Sequence, residues 1–207
     1  MDTKLSFTLK VVKELLNHGF SVDLRQKESI DGYGGWFGDD EGEEEFVVAM
    51  KHPMSFEILI HEYCHFLQWK TDRPFWNSTI EDYDTLFNWI NDKNLEVSEL
   101  DLDKSFNCIL SIEHDCEKRV LRLVKNNPIE DFDTDKYKRA VNAYLWSYHI
   151  NRELRTRPVR PIYSDRVMTH MPTSFYNDLS YYLDKNNLTN EMRQALLLEY
   201  EINSSDG

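Results

Sequence analysis

The chain has 207 residues, 41% of them hydrophobic and 13% aromatic, enough to bury one sizeable core, and it reads as a single domain over 1–207. A net charge of -13 argues against a general nucleic-acid binder, because such proteins draw most of their affinity from Lys and Arg on phosphates. No run approaches the roughly 18 to 20 apolar residues of a membrane span, and the segment from Met1 to Leu16 lacks the continuous apolar core of a signal peptide. Cys64, Cys108 and Cys116 form no clip or disulfide framework, so the expectation is a cytoplasmic protein with reduced thiols and no membrane contact.

In chain order, Leu5, Leu9, Val12, Leu15 and Leu16 recur at helical spacing, and His18-Gly19 supplies a stop. Residues 20–25 read as a short strand, 32–38 as a turn region holding four of the seven glycines, 39–45 as an acidic solvated loop, and 45–50 as a second strand. After Pro53 the pattern is helical over 55–70, 80–90, 100–125, 134–154, 174–183 and 190–200, with Pro74, Pro128 and Asn186-Asn187 as breakers. Residues 155–172, with three prolines, read as an ordered loop. The expected class is α+β: a mainly helical body with a small N-terminal β-sheet.

Chemistry concentrates in His61-Glu62-Tyr63-Cys64-His65. Residues four apart on a helix stack one turn above each other, so His61 and His65 present two imidazoles to one point, as a zinc ion requires. Glu62 sits one position round, placed to act on a water as general base. Phe56, Ile58, Leu59, Ile60, Phe66, Leu67 and Trp69 make the helix apolar on nearly every side, and a lone carboxylate is costly to bury there without a function.

The third ligand is sought on a later helix. The positions where a metzincin carries Gly and a third His hold Gln68 and Thr71, which excludes that pattern. In 100–125 the apolar stripe is Leu102, Phe106, Ile109, Cys116, Val120 and Val124, and two acids break it, Glu113 and Glu117. We read Glu113 as the metal ligand and Glu117 as the acid that orients a ligand imidazole through its other ring nitrogen; spacing alone does not order the two, and Asp82, Asp84 and His170 stand in reserve.

The two segments, His61-Glu62-Tyr63-Cys64-His65 and Glu113-His114-Asp115-Cys116-Glu117, resemble the gluzincin peptidases, whose pattern is HExxH with a downstream Glu and an acid four residues later. The compact size is similar to minimal gluzincins, and 112–120 is similar to uncharacterised zinc-peptidase-like proteins of tailed bacteriophages. The family's later acid is usually Asp, where this chain has Glu117. The resemblance implies a zincin-like fold, a Zn2+ cofactor, peptide or protein substrates, and an edge strand, expected at 46–50, that pairs with extended substrate.

Weaker candidates are Tyr148, His149 and His170 for stabilising an oxyanion. His52 and His114 read as structural, Cys64 and Cys116 as small apolar fillers, and Arg152, Arg155, Arg157 and Arg160 as a basic cluster that pairs locally or recognises a carboxylate. A deformylase is disfavoured because its Cys ligand would precede the motif. The competing class is a non-catalytic zinc-binding interaction or regulatory protein, against which Glu62 argues, since a structural site needs no general base.

Overall fold

The computed structural model describes residues 2–40 and 43–200, with the side chains of 40, 43, 80 and 81 left aside. Eight helices and three strands are described: α1 Lys4–Asn17, β1 Ser21–Arg25, β2 Gly35–Asp40, β3 Glu43–Ala49, α2 Ser55–Thr71, α3 Arg73–Asn91, α4 Glu99–Asn126, α5 Thr134–Leu154, α6 Asp165–Met168, α7 Ser180–Leu183 and α8 Asn190–Leu197. The class is α+β with a small sheet near the N-terminus. No helix among the described residues is long and apolar enough to cross a membrane.

The chain divides into two compact units, one of residues 1–75 and 116–132, the other of 76–115 and 133–207, and α4 contributes to both. In the first unit, α1 begins at Thr3, whose hydroxyl accepts from the Ser6 amide, and ends where Gly19 takes φ +89, a conformation that costs glycine little. The chain then enters a sheet of order β1-β3-β2, with β1 parallel and β2 antiparallel to β3.

β3 is therefore the central strand, and the edge expected at 46–50 is corrected to β1 and β2. The physical sign was in the sequence: Phe46, Val47, Val48 and Ala49 are all buried, and a continuous apolar run marks a strand covered on both faces. A second correction concerns 32–38. Only its first part turns; Gly35 to Gly38 belong to β2, registered against β3 from Gly35–Val48 to Gly38–Glu45. The acidic stretch is likewise the end of a hairpin rather than a free loop, with Asp39 in β2 bonded to Arg73 at 2.9 Å; Glu41 and Gly42 lie outside the described residues.

Helix α2 packs on this sheet through aromatic rings. Phe20 of the β1 approach and Phe37 of β2 meet Phe66 and Trp69, with centroids 4.9 to 6.4 Å apart. On its other side Phe7 of α1 meets Phe56 and Tyr63 edge to face. Glu14 of α1 ties the same helices by polar contacts, accepting from the Tyr63 hydroxyl at 2.6 Å and from Lys70 at 2.8 Å.

Pro74 does not break a helix but is the second residue of α3, in the first turn, where its missing N–H is no loss. Ser98 caps α4 through the Asp101 amide at 3.1 Å, and Asp133 caps α5 through the amides of 135 and 136. The core holds Trp146 and Tyr182, both fully buried, and Asn142 of α5 donates to the carbonyls of Pro172 and Ser174 while accepting from Tyr182 at 2.9 Å. The helix expected over 174–183 is present only as α7: Tyr176 instead stacks on Tyr181 at 3.6 Å, and its amide turns to the Tyr182 hydroxyl. The loop expected over 155–172 contains α6, capped by Ser164.

Candidate metal centre

His61 and His65 lie on α2 four residues apart, their ring centroids 4.6 Å apart and their planes at 86°. The two Nε2 atoms face each other at 3.0 Å. Each Nδ1 meets an acceptor: His61 Nδ1 lies 3.0 Å from Glu117 Oε1, and His65 Nδ1 lies 2.8 Å from Gln68 Oε1. An Nδ1 bonded to an acceptor carries the proton, so in neutral imidazoles both Nε2 atoms present lone pairs. Two lone pairs aimed at one another repel unless a cation lies between them, and fixed Nδ1–H bonds are how proteins orient imidazoles toward a metal. The donor set thus could hold a metal ion.

Cys116 adds a sulfur. His61, His65 and Cys116 each offer a ligand atom within 4.8 Å of the other two, a group that could hold a metal ion. The sulfur lies 3.6 Å from His61 Nδ1 and donates to the His61 carbonyl at 3.2 Å, which sets it on the Glu117 side of the ring. Its role as a simple filler is therefore incomplete. Cys64 is the better filler: fully buried, its thiol is pushed up in pKa by desolvation first and by Cys116 next.

Glu62 is 8% exposed and held close to the sheet. A Cβ at Gly35 would come 2.6 Å from the Val47 carbonyl oxygen, 3.0 Å from Ile58 Cγ2 and 3.5 Å from Glu62 Cγ. Glycine at 35 thus lets edge strand β2 approach the motif helix, bringing backbone alongside Glu62. Composition suggested a turn there; the signal that could have located the close approach is Gly34-Gly35 falling just before an aromatic pair, Trp36-Phe37.

Glu113, the expected ligand, is 2% exposed on α4, one turn before Glu117 at 3%. Its Oε1 lies 3.4 Å from the Tyr83 hydroxyl and 3.5 Å from that of Tyr148, which in turn is 2.6 Å from the Tyr144 hydroxyl. Burial, then the Glu113 charge, pushes the Tyr144 and Tyr148 phenols well up, so both stay protonated and able to donate.

The remaining candidates are placed as follows. His149 bonds the Tyr182 carbonyl at 2.7 Å and packs edge-on against Phe106, and burial holds its pKa down, which makes it a core residue. His170 is exposed after α6, Asp84 is exposed and Asp82 half-buried on α3. His114 stacks on Phe175 and bonds the Tyr176 carbonyl at 2.8 Å, and His52 accepts the Met54 amide at 3.1 Å. In the arginine cluster, Arg152 pairs with Glu99 and Asp103, and Arg155 binds the carbonyls of Trp89, Asp92 and Leu95 at the end of α3, so local pairing accounts for these two. Gln68, which anchors His65, was noted in the sequence only as a departure from another pattern; its position three residues after the motif's second histidine was the usable signal.

Comparisons with family models, with curated proteins and with solved structures return no match.

Proposed function

We propose that this chain is a zinc-dependent peptidase with a zincin-like domain, hydrolysing peptide bonds in peptide or protein substrates. The observation that carries the reading is the opposed Nε2 pair of His61 and His65, 3.0 Å apart, with each Nδ1 engaged by an acceptor. Two ligands come from this pair, and the carboxylate ligand is assigned from the sequence pattern to Glu113. Zinc, when bound, supplies Lewis-acid chemistry, acidifying water and polarising a carbonyl.

The chain's own residues supply the rest. Glu62, 8% exposed and beside Gly35 of β2, takes the proton of the attacking water and passes it to the leaving amine. Glu117 keeps the His61 ring in its Nδ1–H tautomer, and Gln68 does the same for His65 without adding charge. Edge strand β2 offers backbone beside Glu62 for an extended substrate to pair with.

The test is zinc content by elemental analysis together with digestion of a broad peptide library. Glu62→Gln keeps the zinc and the fold while hydrolysis falls about 100-fold to 10,000-fold, the usual contribution of a positioned base. Hydrolysis by this variant at the parent rate overturns the mechanism. The Cys116 sulfur near both imidazoles favours a second reading, a non-catalytic metal-binding regulatory protein. Zinc bound by a parent protein that cleaves nothing in the library establishes that second reading, and a parent that binds no zinc removes both.

A further inference from the structure

Helix α1 has two apolar stripes. Phe7, Val11 and Leu15 are buried, whereas Leu5 is 69% exposed, Leu9 60% and Leu16 56%, with Val12 half-buried among them. Positions 5, 9, 12 and 16 are spaced four, three and four residues apart, and at 3.6 residues per turn they fall within an arc of about 60°. That spacing is the seam of a coiled coil, in which apolar residues alternate at three and four so that each inserts between residues of a facing helix. Single exposed leucines are ordinary, but an aligned row of them marks a contact surface.

Charge selects what faces the row. The chain carries 24 Lys and Arg against 37 Asp and Glu, yet α1 holds Lys4, Lys10 and Lys13 with a single acid, Glu14. Glu14 is turned inward to Tyr63 and Lys70, while Lys13 stands exposed one position after Val12, where coiled-coil pairs place the charges that choose a partner. Lys10 is partly neutralised by Asp2 at 2.6 Å. A second copy of this chain is a poor occupant. It would bring lysine-rich helices together between bodies that each carry a charge of -13, along a seam that the 14 residues of α1 make only about 21 Å long.

We infer that the outer face of α1 docks an amphipathic helix of another protein, one whose apolar seam is flanked by Asp or Glu. The contact is small and reversible. Through Phe7 and Glu14, the inner face of the same helix holds Tyr63 in the middle of the histidine motif, so the docked partner lies one helix layer behind the candidate metal centre.

The test is titration of the full chain, observed by amide NMR, with a synthetic three-heptad peptide carrying Leu at the seam and Glu beside it. Shifts confined to 4–17, weakened about tenfold or more by Leu5→Ser with Leu9→Ser, are the expected result, since removing two leucines from a seam costs more than the 1.4 kcal/mol that a factor of ten represents. Both leucines are exposed, so the fold survives the change. Lys13→Glu reverses the preference toward a peptide with Lys at the flanks. Equal binding of Glu-flanked and Lys-flanked peptides by the parent overturns the inference. So does leucine-dependent self-association in sedimentation, or leucine-dependent binding to vesicles of anionic phospholipid in place of the peptide.

Discussion

Glu113 and Glu117 sit one turn apart on α4 and are equally buried, yet their surroundings differ in kind. Glu117 meets an imidazole Nδ1 at 3.0 Å, a partner whose orientation it fixes. Glu113 has phenol hydroxyls at 3.4 and 3.5 Å, longer contacts from neutral donors. Burial alone therefore does not assign a carboxylate its work; the chemistry of what it touches does.

The largest expected effect separates the two acids by zinc affinity, measured by competition with a chromogenic chelator while circular dichroism follows the fold. Glu117→Ala loses about 10-fold to 100-fold, the usual cost of an acid that orients a ligand imidazole, and Glu113→Ala loses more. A larger loss for Glu117 exchanges the roles, and a larger loss for Cys116→Ala than for either acid moves the third donor to the thiol.

A smaller effect is expected at Tyr148. Replacing it by Phe removes one hydroxyl from the Tyr144 and Glu113 group, costing about 1 kcal/mol of stability in urea unfolding. A neutral or stabilising result would mean that the phenol contributes nothing to holding Glu113, and the contrast between the two acids would shrink to one of distance.

The smallest effect concerns a third acid, Glu14, which is neither fully buried nor near an imidazole ligand nitrogen. Partial burial raises its pKa, but the hydrogen bonds from Lys70 and Tyr63 outweigh this and leave it below the usual carboxylate value. A group depressed in the folded state stabilises the fold above its unfolded pKa, and that stability is lost as pH falls through the folded value. Acid unfolding followed by circular dichroism should therefore start at higher pH for Glu14→Gln, whose neutral-pH stability is also lower. An unchanged acid limb would show that the α1 to α2 tie adds nothing.

Much of this was legible beforehand where one periodicity governs one element. The span of α5 and the course of α2 and α4 follow from their apolar stripes, and Glu113 and Glu117 declared themselves by breaking one. Strand order did not, because the pairing of β3 with both β1 and β2 is a tertiary choice, although the unbroken run from Phe46 to Ala49 pointed to a central position. β2 was hidden for a different reason. Glycines usually mark turns, and here Gly35 answers to the nearness of Ile58 and Val47 rather than to any backbone torsion.

That crowding has a consequence for mutational scanning. At Gly34 a methyl group would strike only Ile58 Cδ1, the end of a side chain that can rotate away, whereas at Gly35 it would strike the fixed carbonyl of Val47. In a scan of all substitutions scored for folded protein, position 34 should accept alanine with little loss, while position 35 should reject every replacement. A residue with no side chain would then score as intolerant as any proposed catalytic group, for the sake of the space it leaves empty.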